Sequence, residues 1–585
     1  MTARHLLVVV SIAAAACRQQ APRASAAEPP EPPASYVDPQ RCVGCHPAEA
    51  ARWRGSHHAR AMAPATADSV AGRFDGATVD GTRLRRDGDA YYIDVTGGEA
   101  PGSYRVRYTF GVEPLQQYLV ELPGGRLQAA ALAWDTANRT WFRVQSSELP
   151  WTSRYHTWNT MCADCHSTAV DKHYDPETDR FATTYREVAV GCQACHGPGS
   201  RHAADPRQAL EASRSTDGCA PCHARRTAIT ATTTPGAPLF DQFRPVTLQP
   251  GLYFADGQIL DEVFEYGSFA QSAMHERGVT CVDCHDPHAA RAEPANATCT
   301  QCHAASPPAR FPGLAARAKD VDSPAHHHHR PDGPGARCVA CHMPERTYMK
   351  IDRRRDHSFR IPRPDLSVAL GTPDVCTGSC HADRDARWAA ATVAAWFPSA
   401  KPAHFAEVFA RARQTGGAAA DLQRLATERG RPAIVRATAL ELLFADPPAC
   451  LAAAATALRD PSPLVRSVAV ACGEQLPAVP RARFAAAGLR DSSRLVRIEA
   501  ARIATGAEAE LPAEQRAWYA DARRELDEAN RTALDRPEGW FNLALQAEAD
   551  SRPGEAIAHY RKALELDPAF VPARVNLRQL EAAAR

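Results

Sequence analysis

Apolar and polar positions follow three rhythms along this chain. Leu6 to Ala16 form an apolar stretch, interrupted only by Ser11, behind Arg4 and His5; it is too short to span a bilayer but has the length of an export signal. Between residues 72 and 150 the rhythm approaches strict alternation. Tyr91-Tyr92-Ile93-Asp94-Val95, Tyr104 to Phe110 and Leu115 to Leu122 carry it, with turn signals at Asp87-Gly88 and Pro123-Gly124-Gly125. This predicts a small antiparallel β insertion. From about residue 385 apolar positions recur at helical spacing in an alanine- and arginine-rich background, which predicts a helical C-terminal region.

The helical part repeats. Val435-Arg436 in PAIVRATALELL, Val465-Arg466 in SPLVRSVAVACG and Val496-Arg497 in SRLVRIEAARIA recur after 30 and 31 residues. They resemble HEAT repeats, over residues 402–510. Trp540, Leu543, Ala544, Ala556, Tyr560, Ala563 and Pro568 have the spacing of a tetratricopeptide repeat, with Ala547 where a tyrosine is usual, so residues 513–585 read as a second repeat domain. Such units bury their apolar faces only by stacking, which predicts an α-solenoid with a concave binding surface. Cys450 and Cys472 fall in this region outside any motif and read as core residues.

Charge and composition narrow the function. Lys+Arg number 68 and Asp+Glu 67, a balance that argues against a nucleic-acid binder. Apolar residues make up 44%, enough for folded domains. Sixteen of the 19 cysteines fall in eight pairs, each followed at once by histidine. Seven read C-x-x-C-H: Cys42/Cys45/His46, Cys162/Cys165/His166, Cys192/Cys195/His196, Cys219/Cys222/His223, Cys281/Cys284/His285, Cys299/Cys302/His303 and Cys338/Cys341/His342. The eighth, Cys376/Cys380/His381, has a three-residue spacer, Thr377-Gly378-Ser379.

C-x-x-C-H is the attachment motif of c-type haem. The two thiols add to the two vinyl groups of one haem, and the histidine that follows lies beneath the iron as its proximal ligand. Eight covalently attached haems are expected. The 14 residues between Cys284 and Cys299 approach zinc-ribbon spacing, but a ribbon needs no histidine after each pair. With 23 histidines in 585 residues, eight such histidines by chance is negligible. The fold class expected is therefore mainly α: a multihaem cytochrome c domain over residues 36–385, containing the β insertion at 72–150, followed by the solenoid.

Haem of this kind is attached outside the bacterial cytoplasm, so the chain is expected in the periplasm or cell envelope. Residues 1–17 end in Ala-Ala-Ala-Cys17. This resembles a lipoprotein signal, with Ala14 where leucine is usual, and makes Cys17 the expected lipidation site. Residues 18–35 are a Pro/Ala-rich tether. Contact with a membrane is expected through that lipid alone.

FGVEPLQQYLVELPGGRLQ (110–128), WNTMCADCHST (158–168), CHGPGSRH (195–202), GVTCVDCHDPH (278–288) and DHSFRIPRPDLS (356–367) extend the likeness beyond the motifs. The chain resembles bacterial multihaem c-type cytochromes with C-terminal tetratricopeptide repeats. These are related to hydroxylamine oxidoreductase, octahaem tetrathionate reductase and pentahaem nitrite reductase. The resemblance implies electron transfer. The CTGSCH spacing departs from it, which makes the eighth haem the least secure.

The second axial ligand decides between carrier and enzyme: a haem closed by two histidines passes electrons, and one with an open face can bind a small molecule. His57 or His58, His156, His202, His275, His288 and His357 are the expected distal ligands, together with at least one of His326 to His329, entered as His327 and His328. His202 and His288 lie too close to their own motifs to reach the far face of the same haem, so each is expected to serve a neighbour. No C-x-x-C-K occurs, so the lysine-ligated nitrite reductase site has no counterpart. The favoured reading is an electron carrier that docks redox partner proteins through its helical repeats. The alternative is an oxidoreductase acting on a small nitrogen or sulfur oxyanion at one open-face haem.

Overall fold

The computed structural model describes residues 33–98, 100–146, 148–210, 215–289, 295–399 and 401–583. The export signal, Cys17 and most of the tether lie outside them.

The β region is larger than alternation alone suggests. Nine strands form one antiparallel sheet: β1 (Met62–Pro64), β2 (Asp75–Val79), β3 (Thr82–Asp87), β4 (Ala90–Val95), β5 (Gly102–Phe110), β6 (Leu115–Leu122), β7 (Arg126–Ala129), β8 (Leu132–Asp135) and β9 (Thr140–Arg143). The order is β2-β3-β4-β5-β6-β8-β9, with β1 added to β5 and β7 to β6. The sheet thus starts at Met62, ahead of the expected boundary. In β3 and β4 the alternation is real, with Leu84, Tyr91 and Ile93 buried on one face. In β6 it fails because both faces are covered. Tyr118 and Val120 pack with Phe74, Leu84 and Trp134, while Leu119 packs on the other side with Met62, Phe110, Trp158 and Ala163. The second cluster ties the sheet to the segment carrying the second cysteine pair. At the β6–β7 turn, Gly125 has φ +73° and a Cβ there would lie 2.2 Å from the Phe181 carbonyl oxygen, so glycine alone permits this approach.

The rest of residues 36–385 consists of short helical turns, loops and three two-stranded ribbons. The described residues from Phe405 onward are helical, each helix packing on the next or next but one. The Val-Arg pattern has a physical basis in this region. Arg436 reaches Asp460 (2.7 and 3.0 Å), Arg466 reaches Asp491 (2.7 and 2.7 Å) and Arg497 reaches Glu525 (2.7 and 2.9 Å), in each case with Nε and Nη2 along one guanidinium edge. Each arginine therefore clamps the acid about one repeat further on, in the bidentate geometry that fixes both partners. Cys450 and Cys472 are buried, as expected of core residues, but they are not unpaired. They form a disulfide between the helix Pro447–Ala457 and the end of the helix Pro463–Ala471. Among the described residues no helix is long and apolar enough to cross a membrane.

The helices are not a detached appendage. One core cluster joins Leu248, Tyr253, Ile259, Val263 and Tyr348 to Phe409, Leu425, Val435 and Leu440. Polar contacts run beside it: the Leu248 N–H donates to Thr438 Oγ1 (3.0 Å), Arg413 donates to the Tyr253 carbonyl (3.1 Å) and Arg244 pairs with Glu499 (2.8 Å). Further along, Lys172 pairs with the buried Asp535 (3.0 Å) and the Tyr155 hydroxyl donates to Glu538 (3.0 Å). Deleting residues 401–585 is therefore expected to strip the cover from Leu248, Tyr253, Ile259 and Tyr348. The shortened chain should lose soluble yield and haem absorbance per mole of protein. A soluble fragment with full haem content would show that this shared core is dispensable.

Candidate functional site

Each motif is one helical turn. In the first, second, fourth, fifth and sixth, the histidine N–H donates to the carbonyl of the first cysteine four residues back, at 2.9–3.1 Å. That bond sets both thiols and the imidazole on a compact loop, as one porphyrin requires. The eighth motif absorbs its extra residue without losing this relation. The His381 N–H donates to the Cys376 carbonyl at 2.9 Å, five residues back, a single wide turn of the π type. Asp374 caps the turn, accepting from the Cys376 and Thr377 N–H groups (3.3 and 3.2 Å) and from the Thr377 hydroxyl (2.8 Å).

The attachment cysteines are not equally enclosed. Cys45, Cys195, Cys284 and Cys380, each expected to bind haem, stand exposed rather than set into a protein pocket, whereas their pair partners Cys42, Cys192, Cys281 and Cys376 are half-buried. Cys45 ends the helix Pro39–Cys45, none of whose residues is buried.

The motif histidines face imidazoles from distant parts of the chain. The ring centres of His46 and His202 are 6.1 Å apart, those of His223 and His58 6.4 Å, of His196 and His288 6.1 Å, of His285 and His357 6.3 Å, of His342 and His326 6.3 Å, and of His381 and His329 6.2 Å. Metal–nitrogen bonds of about 2 Å and nitrogen-to-centre distances of about 1.1 Å, each taken twice, sum to about 6.2 Å. The spacing thus fits one iron between two imidazoles. The interplanar angles run from 3° to 75°, and rotation about a nitrogen–metal–nitrogen axis permits any of them.

Hydrogen bonding leaves the correct nitrogen available. His166 donates Nδ1–H to the Ala61 carbonyl (3.1 Å), His342 to Arg360 (2.6 Å), His202 to Gln208 (2.7 Å), His357 to Arg355 (3.0 Å) and His58 to Pro287 (3.3 Å); His329 bonds likewise to the His327 carbonyl. A backbone carbonyl can only accept, so Nδ1 carries the proton and Nε2 keeps its lone pair for a metal. His223 differs: its Nδ1 lies 2.9 Å from the Glu265 carboxylate. Burial works against charge on His223, yet the Glu265 hydrogen bond and charge hold it up at about 9, and the same contact draws Glu265 down to about 2 despite burial. His196 is pushed below its usual range by burial, then by the fields of His288, His46 and His202. The first and third motifs are therefore immediate neighbours.

Four of the expected distal histidines, His58, His202, His288 and His357, thus stand opposite a motif histidine. The position opposite His223 is taken by His58 rather than His57. From the His326 to His329 run, His326 and His329 occupy these places, while His328 stacks on Trp396 at 4.4 Å and the His327 carbonyl accepts from His329. The helical turn Pro324–His327 ends with His328 in the left-handed region, which aims His326 and His329 at different motifs; sequence spacing carries no sign of that turn. His275 lies edge-on to Phe269 and Tyr266, and His156 ends the turn Arg154–His156. Among the described residues, neither His166 nor His303 has a second imidazole ring at the 6.1–6.4 Å spacing. Nor do the described residues hold a group of three or more His, Cys, Asp or Glu able to bind a metal by themselves.

Thiols of different motifs also meet. Cys42 hydrogen-bonds with Cys192, Cys219 with Cys281, and Cys299 with Cys338. A hydrogen bond from Cys222 draws the Cys165 thiol down to about 7. Cys195 feels the field of Cys219, Cys284 that of Cys302 and Cys341 that of Cys380. The motifs follow one another in space as one, three, four, five, six, seven and eight, with the second attached at the fourth.

A family model described as cytochrome c554 and c-prime matches residues 41–109 and 128–197, which contain the first three motifs. No curated protein matches. A solved structure titled outer cell wall cytochrome OcwA is 18% identical with a TM-score of 0.46, covering 75% of this chain and 99% of that one. With the cysteine–histidine motifs, the family match supports a multihaem c-type cytochrome that binds haem c covalently.

The eighth turn is the one most dependent on a single side chain. Asp374→Ala is expected to lower haem content by up to one per chain, read by intact mass of matured protein. An unchanged mass would remove the cap from the requirements of attachment.

Proposed function

We propose that this multihaem cytochrome is an electron wire of eight haems, six of them closed by paired histidines. The six pairs at 6.1–6.4 Å carry the reading, because a sealed iron can change charge but cannot take a substrate. Thioether sulfurs mark porphyrin edges, so the thiol contacts support a run of haems from the first motif to the eighth, with the second as a side branch. Redox partners dock on the helical repeats. The surface on offer is the outer end of the chain, where Leu545, Val571 and Val575 are 41–53% exposed, since the helices Phe405–Thr415 and Ala433–Leu442 are occupied by the shared core.

A second reading has a specific observation behind it. The irons above His166 and His303 have no second imidazole in reach among the described residues, so either is a candidate open face for a small nitrogen or sulfur oxyanion. Low-temperature electron paramagnetic resonance of the oxidised holoprotein separates the readings. Six low-spin and two high-spin haems are expected, with carbon monoxide binding at the two once the protein is reduced. His202→Ala and His288→Ala should each add one high-spin haem. An unchanged spectrum in either variant would remove that residue from the ligands, and a wholly low-spin wild type would leave the carrier reading alone.

The cell envelope is the proposed location, with Cys17 acylated. The Cys450–Cys472 disulfide supports export, since such bonds persist in oxidising compartments. Cys17→Ala is expected to move the protein from the membrane to the soluble fraction; a soluble wild type would overturn the anchor.

A further inference from the structure

The fourth motif meets three others. Cys222 Sγ lies 3.7 Å from the Asp164 carbonyl and Cys165 Sγ 3.7 Å from the Cys222 carbonyl, Cys195 is close enough to feel Cys219, and Cys219 hydrogen-bonds with Cys281. Its haem is where the branch joins the run. Its histidine also has a different partner. His166 and His342 donate Nδ1–H to backbone carbonyls, whereas His223 donates to a carboxylate at 2.9 Å. Glu265 is held there at two points, because its own N–H donates to the His223 carbonyl at 3.2 Å. It also caps the helical turn Tyr266–Phe269, its carbonyl accepting from the Phe269 N–H at 2.9 Å. The charges around it are arranged to leave it in this role. Arg354 is taken up by Glu262 (2.5 Å) and Asp352 (2.6 Å), and His357 is directed to the Arg355 carbonyl.

We propose that Glu265 sets the reduction potential of the junction haem, holding it below the value that a neutral partner on His223 would give. A carboxylate accepting from the far nitrogen of a ligating imidazole makes that ligand a stronger donor. It thereby favours the ferric state, and second-sphere hydrogen bonding is one of the means by which a protein tunes haem. A junction of low potential is left oxidised while its neighbours fill. Charge then waits on the branch and on the two arms until the chain is driven. Glu265 is a positioning residue: it acts through His223 and touches no reacting atom.

The inference rests on His223 and His58 as the two ligands of one haem, and the test keeps the two apart. Matured holoprotein is titrated with dithionite and ferricyanide and followed by visible absorbance and electron paramagnetic resonance. Glu265→Gln is expected to raise one single-haem midpoint and shift one low-spin signal. Glu265→Asp, which keeps the charge at a longer reach, should raise it less. Asp261→Asn removes a carboxylate four residues away that pairs with Arg225 and no histidine, and should leave that component in place. Unchanged midpoints in Glu265→Gln at full haem content, or an equal shift in Asp261→Asn, would overturn the proposal. His58→Ala should turn the component that Glu265→Gln moves into a high-spin signal. Absence of a high-spin signal would refute the ligand pair, while the carboxylate's influence would still stand or fall on the midpoints.

Discussion

Two imidazoles held about 6 Å apart, one on a cysteine-anchored turn and one from a distant stretch of chain, form the constraint on which the haem region depends. His46 meets His202, His58 meets His223 and His196 meets His288, so three successive pairs lace residues 46–288 back and forth. Metal–ligand distances tolerate only a few tenths of an ångström. Loops between the motifs are free to be long and short of secondary structure because their ends are fixed by geometry that a hydrophobic core would otherwise have to supply. Closing a loop at both ends removes much of its freedom in the unfolded chain, and adding residues to it then costs little.

Apolar cores are displaced to the flanks as a result. The sheet has a cluster on each face, and one of them incorporates Trp158, Cys162 and Ala163 from the second motif's own segment. The helical region brings the other large core to Leu248, Tyr253 and Ile259, just ahead of the Glu265 that holds His223. The Val-Arg residues belong to this logic. A buried pair such as Arg436 and Asp460, each 4% exposed in its side chain, adds little net stability but fixes register. Register between helices is what a bracket for a chain of cofactors needs.

Much of this was legible in the residues, and the misses have identifiable causes. Eight cysteine pairs with a following histidine are a local signal, since thioether chemistry demands a fixed spacing, and the turns appear where the spacing puts them. Which thiol of a pair faces outward is not local: Cys45 is exposed at the end of a helix with no buried residue, and the same spacing leaves Cys165 half-buried. The eighth motif is readable in outline only: that its extra residue vanishes into a five-residue hydrogen bond depends on the Asp374 cap. Distal ligands are harder, because they come from any loop that arrives on the far face. His202 and His288, which face His46 and His196, are marked as candidates by sitting too near their own motifs. His326 and His329 do not, because the choice within the run of four turns on one left-handed residue, His328. The disulfide was missed because Cys450 and Cys472 lie 22 residues apart in a region whose pattern speaks only of helices. The sheet's extent was underestimated because β1, only three residues long (Met62–Pro64), lies ahead of the strand-like runs and joins the sheet by pairing with the distant β5.

Position explains why the helices press on the haem region where they do. Their contacts fall on residues 154–172, which carry the second motif, on residues 225–276, which run from the fourth motif past Glu265, and on Tyr348 and the helix Pro364–Leu370, ahead of the eighth motif. Lys172 to Asp535 and Arg244 to Glu499 are the polar ends of the first two contacts. In the wire proposed above, those two segments are the ones whose haems meet at the junction, so the braced part of the molecule includes the place where its three electron paths would converge. The first motif lies away from this bracket, at one end of the run. Exchange with other proteins there would leave the junction geometry untouched, and a partner held by the exposed residues of the last helices would stand beside the wire rather than within it. Rigid support at the branch and open approach at the free end are complementary demands on one chain, met by helices that pack inward over most of their length and, among the described residues, leave large apolar side chains exposed at Phe444, Val479, Leu545, Val571 and Val575.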